Sequence, residues 1–140
     1  MTGPPPILYA EDDANDAFFT ERAFRLAEVE NPLVVVVTGQ DAIDYLAGAG
    51  KYSNRQECPL PCLVMLDLKM PYKSGLEVLA WIRTEFRSEI PVLMLTSSNQ
   101  ASDISQAYTF GTNAYLIKPG KPTELLAMVT GIKRFWLSGG

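Results

Sequence analysis

Four places in this 140-residue chain set a charged or hydroxylated side chain directly after a short apolar run. Glu11, Asp12 and Asp13 follow Ile7 to Ala10, Asp67 closes the run in LVMLDLKMP, Thr96 closes LMLTSS, and Lys118 follows Ala114 to Ile117 and precedes Pro119. Carboxylates brought together at one place repel one another unless a positive charge stands between them. Hard oxygen ligands of this kind favour magnesium, which keeps several waters and takes one or two carboxylates plus phosphate oxygens. Lys118 adds a second positive group, able to pair with a carboxylate at rest and with a phosphoryl oxygen later. Thr96 offers a hydroxyl donor to the same oxygens. Alignment with charge neutralisation is what phosphoryl transfer requires of a protein.

These residues meet only if the elements between them bring the run ends to one edge. The apolar runs Ile7 to Ala10, Leu33 to Val37, Cys62 to Leu66, Val92 to Leu95 and Ala114 to Ile117 are near-continuous, as in strands buried on both faces of a parallel sheet. Between them lie helical periods: Phe19, Ala23, Leu26 and Ala27; Ala42, Ile43, Leu46 and Ala47; Leu79, Ile82 and Phe86; Ile104, Ala107 and Tyr108; Leu125, Val129, Ile132 and Trp136. Five strand-then-helix units predict an α/β fold with a doubly wound, five-stranded parallel sheet, because parallel strands need crossover helices. Asn31-Pro32 is expected to close the first helix, Thr38 or Gly39 to cap the second, Ser74 the third, and Pro122 to open the last. The segment 48–61 is polar, rich in Gly and Pro, and without a period, hence a long connection of the kind that is often functional or mobile. In such sheets ligands bind beyond the carboxyl ends of the strands.

Composition narrows the chemistry further. One globular domain is expected from the length and from 47% apolar residues. Net charge is −4, and no basic block exceeds a pair such as Lys133-Arg134, which argues against nucleic acid or an anionic membrane as partner. No apolar run approaches a membrane span, and the N-terminus lacks the pattern of a secretory signal, so a cytoplasmic protein is expected. The chain has no histidine, which removes every Ser-His or Cys-His nucleophile pair and the commonest general base. Cys58 and Cys62 read as a loop thiol and a small strand residue rather than as a redox pair or half a zinc site.

Taken in order, the acids at 11–13, Asp67 with Gly75 beyond it, Thr96-Ser97 and Lys118-Pro119 resemble the receiver domain of two-component response regulators, over residues from about Ile7 to Trp136. The resemblance implies a flavodoxin-like strand order 2-1-3-4-5 and Asp67 as phosphoacceptor. Glu11 and Asp12 would be the acidic pair that holds Mg2+, with the backbone carbonyl of Lys69 completing the shell and Asp13 only a neighbour. It further implies Lys118 and Thr96 as ligands of the phosphoryl oxygens, a cis peptide at Lys118-Pro119, and Tyr115 as an aromatic switch coupled to Thr96. Lys69 and Ser98 would lie where side chains screen the attacking water. The longer interval before Asp67, the Phe135-Trp136-Leu137 ending and the lack of an output domain resemble the small regulators that partner bacterial and cyanobacterial phytochromes. The expected partners are therefore a sensor histidine kinase, an unidentified downstream protein and a second copy of the chain, without DNA contact. The product is a conformation, so the chain is expected not to be an enzyme beyond its own phosphorylation and dephosphorylation.

Each residue also has a plainer role open to it. Acids are favoured at a helix N-terminus by the helix dipole, and Tyr115 suits an edge strand without any switching. An aspartyl-phosphate phosphatase would place a second carboxylate two residues after the nucleophile, where Lys69 stands. A flavodoxin-like nucleotide module would cradle phosphate after the first strand, where the three acids repel it.

Overall fold

The computed structural model describes residues 3–137. Five parallel strands, β1 (Ile7–Ala10), β2 (Leu33–Val36), β3 (Leu63–Leu66), β4 (Val92–Thr96) and β5 (Ala114–Ile117), form one sheet in the order β2-β1-β3-β4-β5. The helices are α1 (Ala14–Leu26), α2 (Gly39–Ala47), α3 (Gly75–Thr84), α4 (Ala101–Thr109) and α5 (Pro122–Ile132), the last continuing into a π-helical turn over Lys133–Leu137. This is the expected doubly wound, flavodoxin-like architecture.

Side-chain alternation along each strand divides the apolar runs between two cores. Leu8, Ala10, Val64, Leu66, Val92 and Met94 pack with Ala42, Leu46, Val78, Leu79, Ile82 and Ala107 of α2, α3 and α4. Ile7, Tyr9, Leu63, Met65, Leu93 and Leu95 pack with Ala23, Phe24, Val129 and Ile132 of α1 and α5. Both faces of the central strands β1, β3 and β4 are therefore dry, which is why their runs are continuous rather than alternating, while β2 and β5 at the edges are only half-buried.

Capping follows the expected residues in three helices. Thr38 accepts from the Asp41 N–H, Ser74 and Glu77 form a reciprocal capping box, and Pro122 opens α5. The first helix departs from expectation. It ends at Leu26, short of Asn31-Pro32, and the chain turns through Glu28 at φ 58°. Its buried face is Ala17, Thr20, Ala23 and Phe24, whereas Phe19 and Leu26 are exposed. Small residues let α1 approach α5 closely, and Phe24 fills the remaining space, so the phase of the helix is set by its neighbour rather than by its own apolar count.

The connection 48–61 is held in place. The Arg55 guanidinium donates to the carbonyls of Tyr45 at 2.9 Å, Leu46 at 2.6 Å and Cys58 at 3.0 Å, and the Tyr45 hydroxyl donates to the Pro59 carbonyl at 2.8 Å. Arg55 thus satisfies carbonyls at the C-terminal end of α2 and closes the loop onto it. Arg55→Ala takes this donor from the partly buried Leu46 and Cys58 carbonyls, while the Tyr45 carbonyl keeps the Gly48 N–H at 3.2 Å, and is expected to destabilise the fold by about 2–3 kcal/mol. A denaturant midpoint equal to that of the parent chain would refute this role. Cys58 and Cys62 are both free, and Cys62 lies one residue before β3 rather than inside it.

Among the described residues no helix is long and apolar enough to cross a membrane.

Candidate functional site

Parallel register levels the strand ends. Ala10 pairs with Leu66, and Thr96 with Ile117, so Glu11 leaves the sheet beside Asp67, and Lys118 beside Thr96. Backbone bonds carry the register one step past the strands: the Asp67 N–H donates to the Ala10 carbonyl at 3.1 Å, and the Lys118 N–H to the Thr96 carbonyl at 2.8 Å. Glu11, Asp67 and Lys118 continue the alternation of Tyr9, Met65 and Leu116, the side of the sheet that α1 and α5 cover. That parity brings their side chains together although 107 positions separate Glu11 from Lys118.

The Lys118 ammonium pairs with Glu11 Oε1 at 2.5 Å, Asp16 Oδ2 at 2.9 Å and Asp67 Oδ2 at 2.9 Å. Glu11 is buried, and its second oxygen accepts from the Asp13 N–H at 3.1 Å. Behind it the Tyr9 hydroxyl, also buried, donates to Glu11 Oε1 at 3.1 Å and lies 3.3 Å from the Thr20 hydroxyl. Asp67 Oδ1 accepts from the Leu68 N–H at 2.6 Å. The Asp13 side chain turns away from this cluster and caps α1, accepting from the Asp16 N–H at 3.0 Å.

Glu11, Asp12 and Asp67 each present a carboxylate oxygen within 4.8 Å of the others. Around a magnesium ion with oxygens at about 2.0–2.1 Å, ligands at opposite corners stand about 4.2 Å apart. At most one pair of the three acids can take opposite corners and the others must close to about 2.9 Å, so the carboxylates would draw together on such an ion, and their hard oxygen donors suit it. Lys69 lies exposed in the loop past β3, beside a recess of about 290 Å³ that Asp67, Thr96 and Ser98 also line. Thr96 is buried at the end of β4, on the opposite side of the sheet from Lys118. Tyr115 is half-buried against the α4-side core, and its hydroxyl donates to the Ser98 carbonyl at 2.9 Å. Ser98 in turn donates to Asp103 Oδ2 at 2.5 Å.

One expectation is corrected here. Every peptide bond among the described residues is trans, including Lys118-Pro119. A tertiary X-Pro amide prefers trans by only about 0.5–1 kcal/mol, so surroundings decide the isomer, and the trans form already delivers the Lys118 ammonium to the acids.

Burial pushes the Glu11 carboxyl up to about 7, against the downward pull of Lys118 and the Asp13 N–H. Burial also raises Asp67, but the Lys118 ammonium outweighs it, with help from the Thr96 hydroxyl, and holds that carboxyl below its ordinary value. The Lys118 ammonium, despite desolvation, is held charged by its carboxylates. For Glu11 the folded state keeps a proton that the unfolded chain sheds near 4.5. Its contribution to stability is therefore complete below about pH 4.5 and is lost as pH rises toward 7. Metal-free protein is expected to melt progressively lower across that window, and Mg2+ to remove the decline by taking the proton's place. Melting curves in chelator and in Mg2+ check this, and parallel curves would refute it.

Gly75 guards the geometry from below. A Cβ there would stand 2.1 Å from the Asp67 carbonyl oxygen, and the Gly75 N–H donates to the Leu68 carbonyl at 2.8 Å. Gly75→Ala must therefore push α3 away or displace Asp67. A loss of about 1–3 kcal/mol and impaired phosphorylation are expected, measured by denaturant unfolding and intact mass.

Asp16, Tyr9 and Thr20 do not stand out in the sequence as members of this site. A tyrosine inside an otherwise aliphatic strand, with matching parity to Glu11, is the available signal for Tyr9. Asp16 carries none, because an acid in a first helical turn is ordinary.

Residues 7–130 match the response regulator receiver domain family. The response regulator Rcp1 of Synechocystis is 35% identical over 135 residues, spanning 96% of this chain and 90% of that protein. The phosphorylated cyanobacterial phytochrome response regulator RcpA superposes with a TM-score of 0.87 at 34% identity, covering 96% of this chain and 95% of the other. The Mn(2+)-bound form of Rcp1 does so with a TM-score of 0.84 at 33% identity, covering 98% and 97%. With the 2-1-3-4-5 sheet and acids and lysine gathered at its carboxyl edge, this chain belongs to the response regulator receiver domain family, the phosphorylated element of two-component signalling.

Proposed function

We propose that Asp67 accepts the phosphoryl group, that Glu11, Asp12 and Asp67 hold Mg2+ with the backbone carbonyl of Lys69 as a further ligand, and that Lys118 and Thr96 bind the phosphoryl oxygens. The convergence of Glu11, Asp67 and the Lys118 ammonium, drawn from three strand ends, is the observation that carries it. A carboxylate oxygen of Asp67 attacks phosphorus, the bond from phosphorus to the donor nitrogen breaks, and an acyl phosphate forms. Bound Mg2+ supplies positive charge to the phosphoryl oxygens as they move. Lys118 turns an N–H donor toward the oxygens of the phosphoryl group. Water later hydrolyses the acyl phosphate, with Lys69 and Ser98 limiting its approach. These two steps on its own aspartate are all the chain catalyses.

The donor is a phosphohistidine on another protein, since this chain has no histidine. A sensor histidine kinase fits, and the phytochrome regulators among its relatives favour one of phytochrome type. An apolar groove of about 520 Å³ between α1 and α5, lined by Phe19, Leu26, Leu125 and Leu126, opens beside Lys118 and suits a helical partner.

The output is conformational. Thr96 moves toward the phosphoryl group, the Tyr115 ring follows inward, and its bond to the Ser98 carbonyl is released, changing the α4, β5 and α5 face. Tyr108, Phe110, Ile117 and Phe135 are exposed, Phe135 at 79%, and favour a homodimer and a downstream protein partner there, without DNA contact. We assign residues 1–140 to one receiver unit working in the cytoplasm. Acetyl phosphate with Mg2+ is expected to add one phosphoryl mass to the chain. No mass gain at saturating acetyl phosphate, in protein that melts cooperatively, would overturn the proposal.

A further inference from the structure

A lysine ammonium has three N–H donors and no acceptor. In Lys118 all three have carboxylate partners: Glu11, Asp16 and Asp67. A phosphoryl oxygen can gain a donor from Lys118 only if one of these contacts is released. Two of the partners are held fast. Glu11 is buried and also accepts from the Tyr9 hydroxyl and the Asp13 N–H, and Asp67 is buried with its Oδ1 on the Leu68 N–H at 2.6 Å. The third differs. The Asp16 side chain is 44% exposed against 0% for Glu11 and 11% for Asp67, and it stands in the first turn of α1, outside the group of three acids that fits a cation. The cap of α1 is Asp13, so Asp16 serves no capping role. Its carboxylate can turn to water at little cost, because an ion pair half in solvent is weak.

We propose that Asp16 is a positioning residue for the phosphoryl step: it holds the Lys118 ammonium toward α1 and competes with the phosphoryl oxygens on Asp67 for it. The inference rests on Asp67 as the acceptor. Asp16 sets how much of the Lys118 interaction reaches the phosphoryl group, and so sets the fraction of chains that a given phosphate donor holds in the modified state. It also lines the groove between α1 and α5, so a partner seated there lies against the same carboxylate.

Asp16→Asn keeps the shape and removes the charge at a half-exposed position. In Mg2+, titrated with beryllofluoride as the phosphoryl mimic, the variant is expected to bind about two- to fivefold more tightly than the parent chain. In a Lys118→Ala background the same substitution is expected to change nothing, because the competition no longer has an object. Where that background binds too weakly to titrate, its rate of phosphorylation by acetyl phosphate, followed by intact mass, gives the comparison. Weaker or unchanged binding in Asp16→Asn overturns the inference, and so does an equal gain with Lys118 absent, which would mean a general field effect. A parent chain that binds no beryllofluoride defeats the assignment of Asp67, and this inference with it; binding by the parent with no response to Asp16→Asn defeats the inference alone.

Discussion

Replacing Asp67 with asparagine is expected to abolish the phosphorylation of this chain, lowering incorporation from acetyl phosphate by at least about a thousandfold. The amide offers no anionic oxygen to attack phosphorus and forms no acyl phosphate. The fold should survive the change. Lys118 keeps Glu11 and Asp16 as partners, the neutral amide relieves repulsion between the acids, and the Asp67 backbone N–H still pairs with the Ala10 carbonyl. Mg2+ affinity should fall as well, since one of the three converging carboxylates is lost. Intact mass and a Mg2+ titration on the same preparation separate the two effects. Retention of the phosphoryl mass gain would move the acceptor elsewhere and remove Asp67 from the mechanism.

Lys118→Ala is expected to produce the largest stability loss of any change at the rim. The Lys118 side chain is only 13% exposed, and its removal leaves Glu11 and Asp67 buried with no cation between them. Breaking such a cluster from one side costs about 3 kcal/mol, because the remaining charges stay desolvated. In a domain of this size that lowers the melting temperature by about 10 °C. The loss should shrink at acid pH, where Glu11 and then Asp67 take up protons, and should shrink at neutral pH when Mg2+ is added. On the role proposed for Lys118, phosphorylation should remain slow in both conditions, because the ion does not replace an N–H donor to the phosphoryl oxygens. Equal melting of variant and parent in chelator would show that the ammonium contributes nothing to the resting site.

Much of this molecule could be read along the chain. β1 and β5 occupy the residues that their apolar runs marked, and β2, β3 and β4 differ by a single residue at one end. Thr38, Ser74 and Pro122 act where local chemistry placed them, since a cap depends on a few neighbouring backbone groups and on little else. The convergence of Glu11, Asp12, Asp67 and Lys118 followed from position alone. Each stands at or just past the carboxyl end of a parallel strand, and the register aligns those ends.

Other features escaped because they depend on how elements turn against one another. Phe19 and Leu26 share the helical period of a buried face, yet contact with α5 selected the face of Ala17, Thr20, Ala23 and Phe24 and left Phe19 and Leu26 lining a groove. Arg55 looked like any polar residue of a long loop until the carbonyls at the end of α2 came within its reach. The same rotation of α1 that exposes Phe19 brings Asp16 onto Lys118. Strand positions, the α/β class and the chemical character of the rim are thus local or periodic properties, determined by residue type and spacing, whereas the strand order β2-β1-β3-β4-β5 was implied only by the family resemblance and is fixed by the tertiary pairing. The partners of the Lys118 ammonium, the proline isomer beside it and the surface of α1 were decided only in three dimensions, because packing chooses among helical phases that a linear pattern leaves nearly equal in energy.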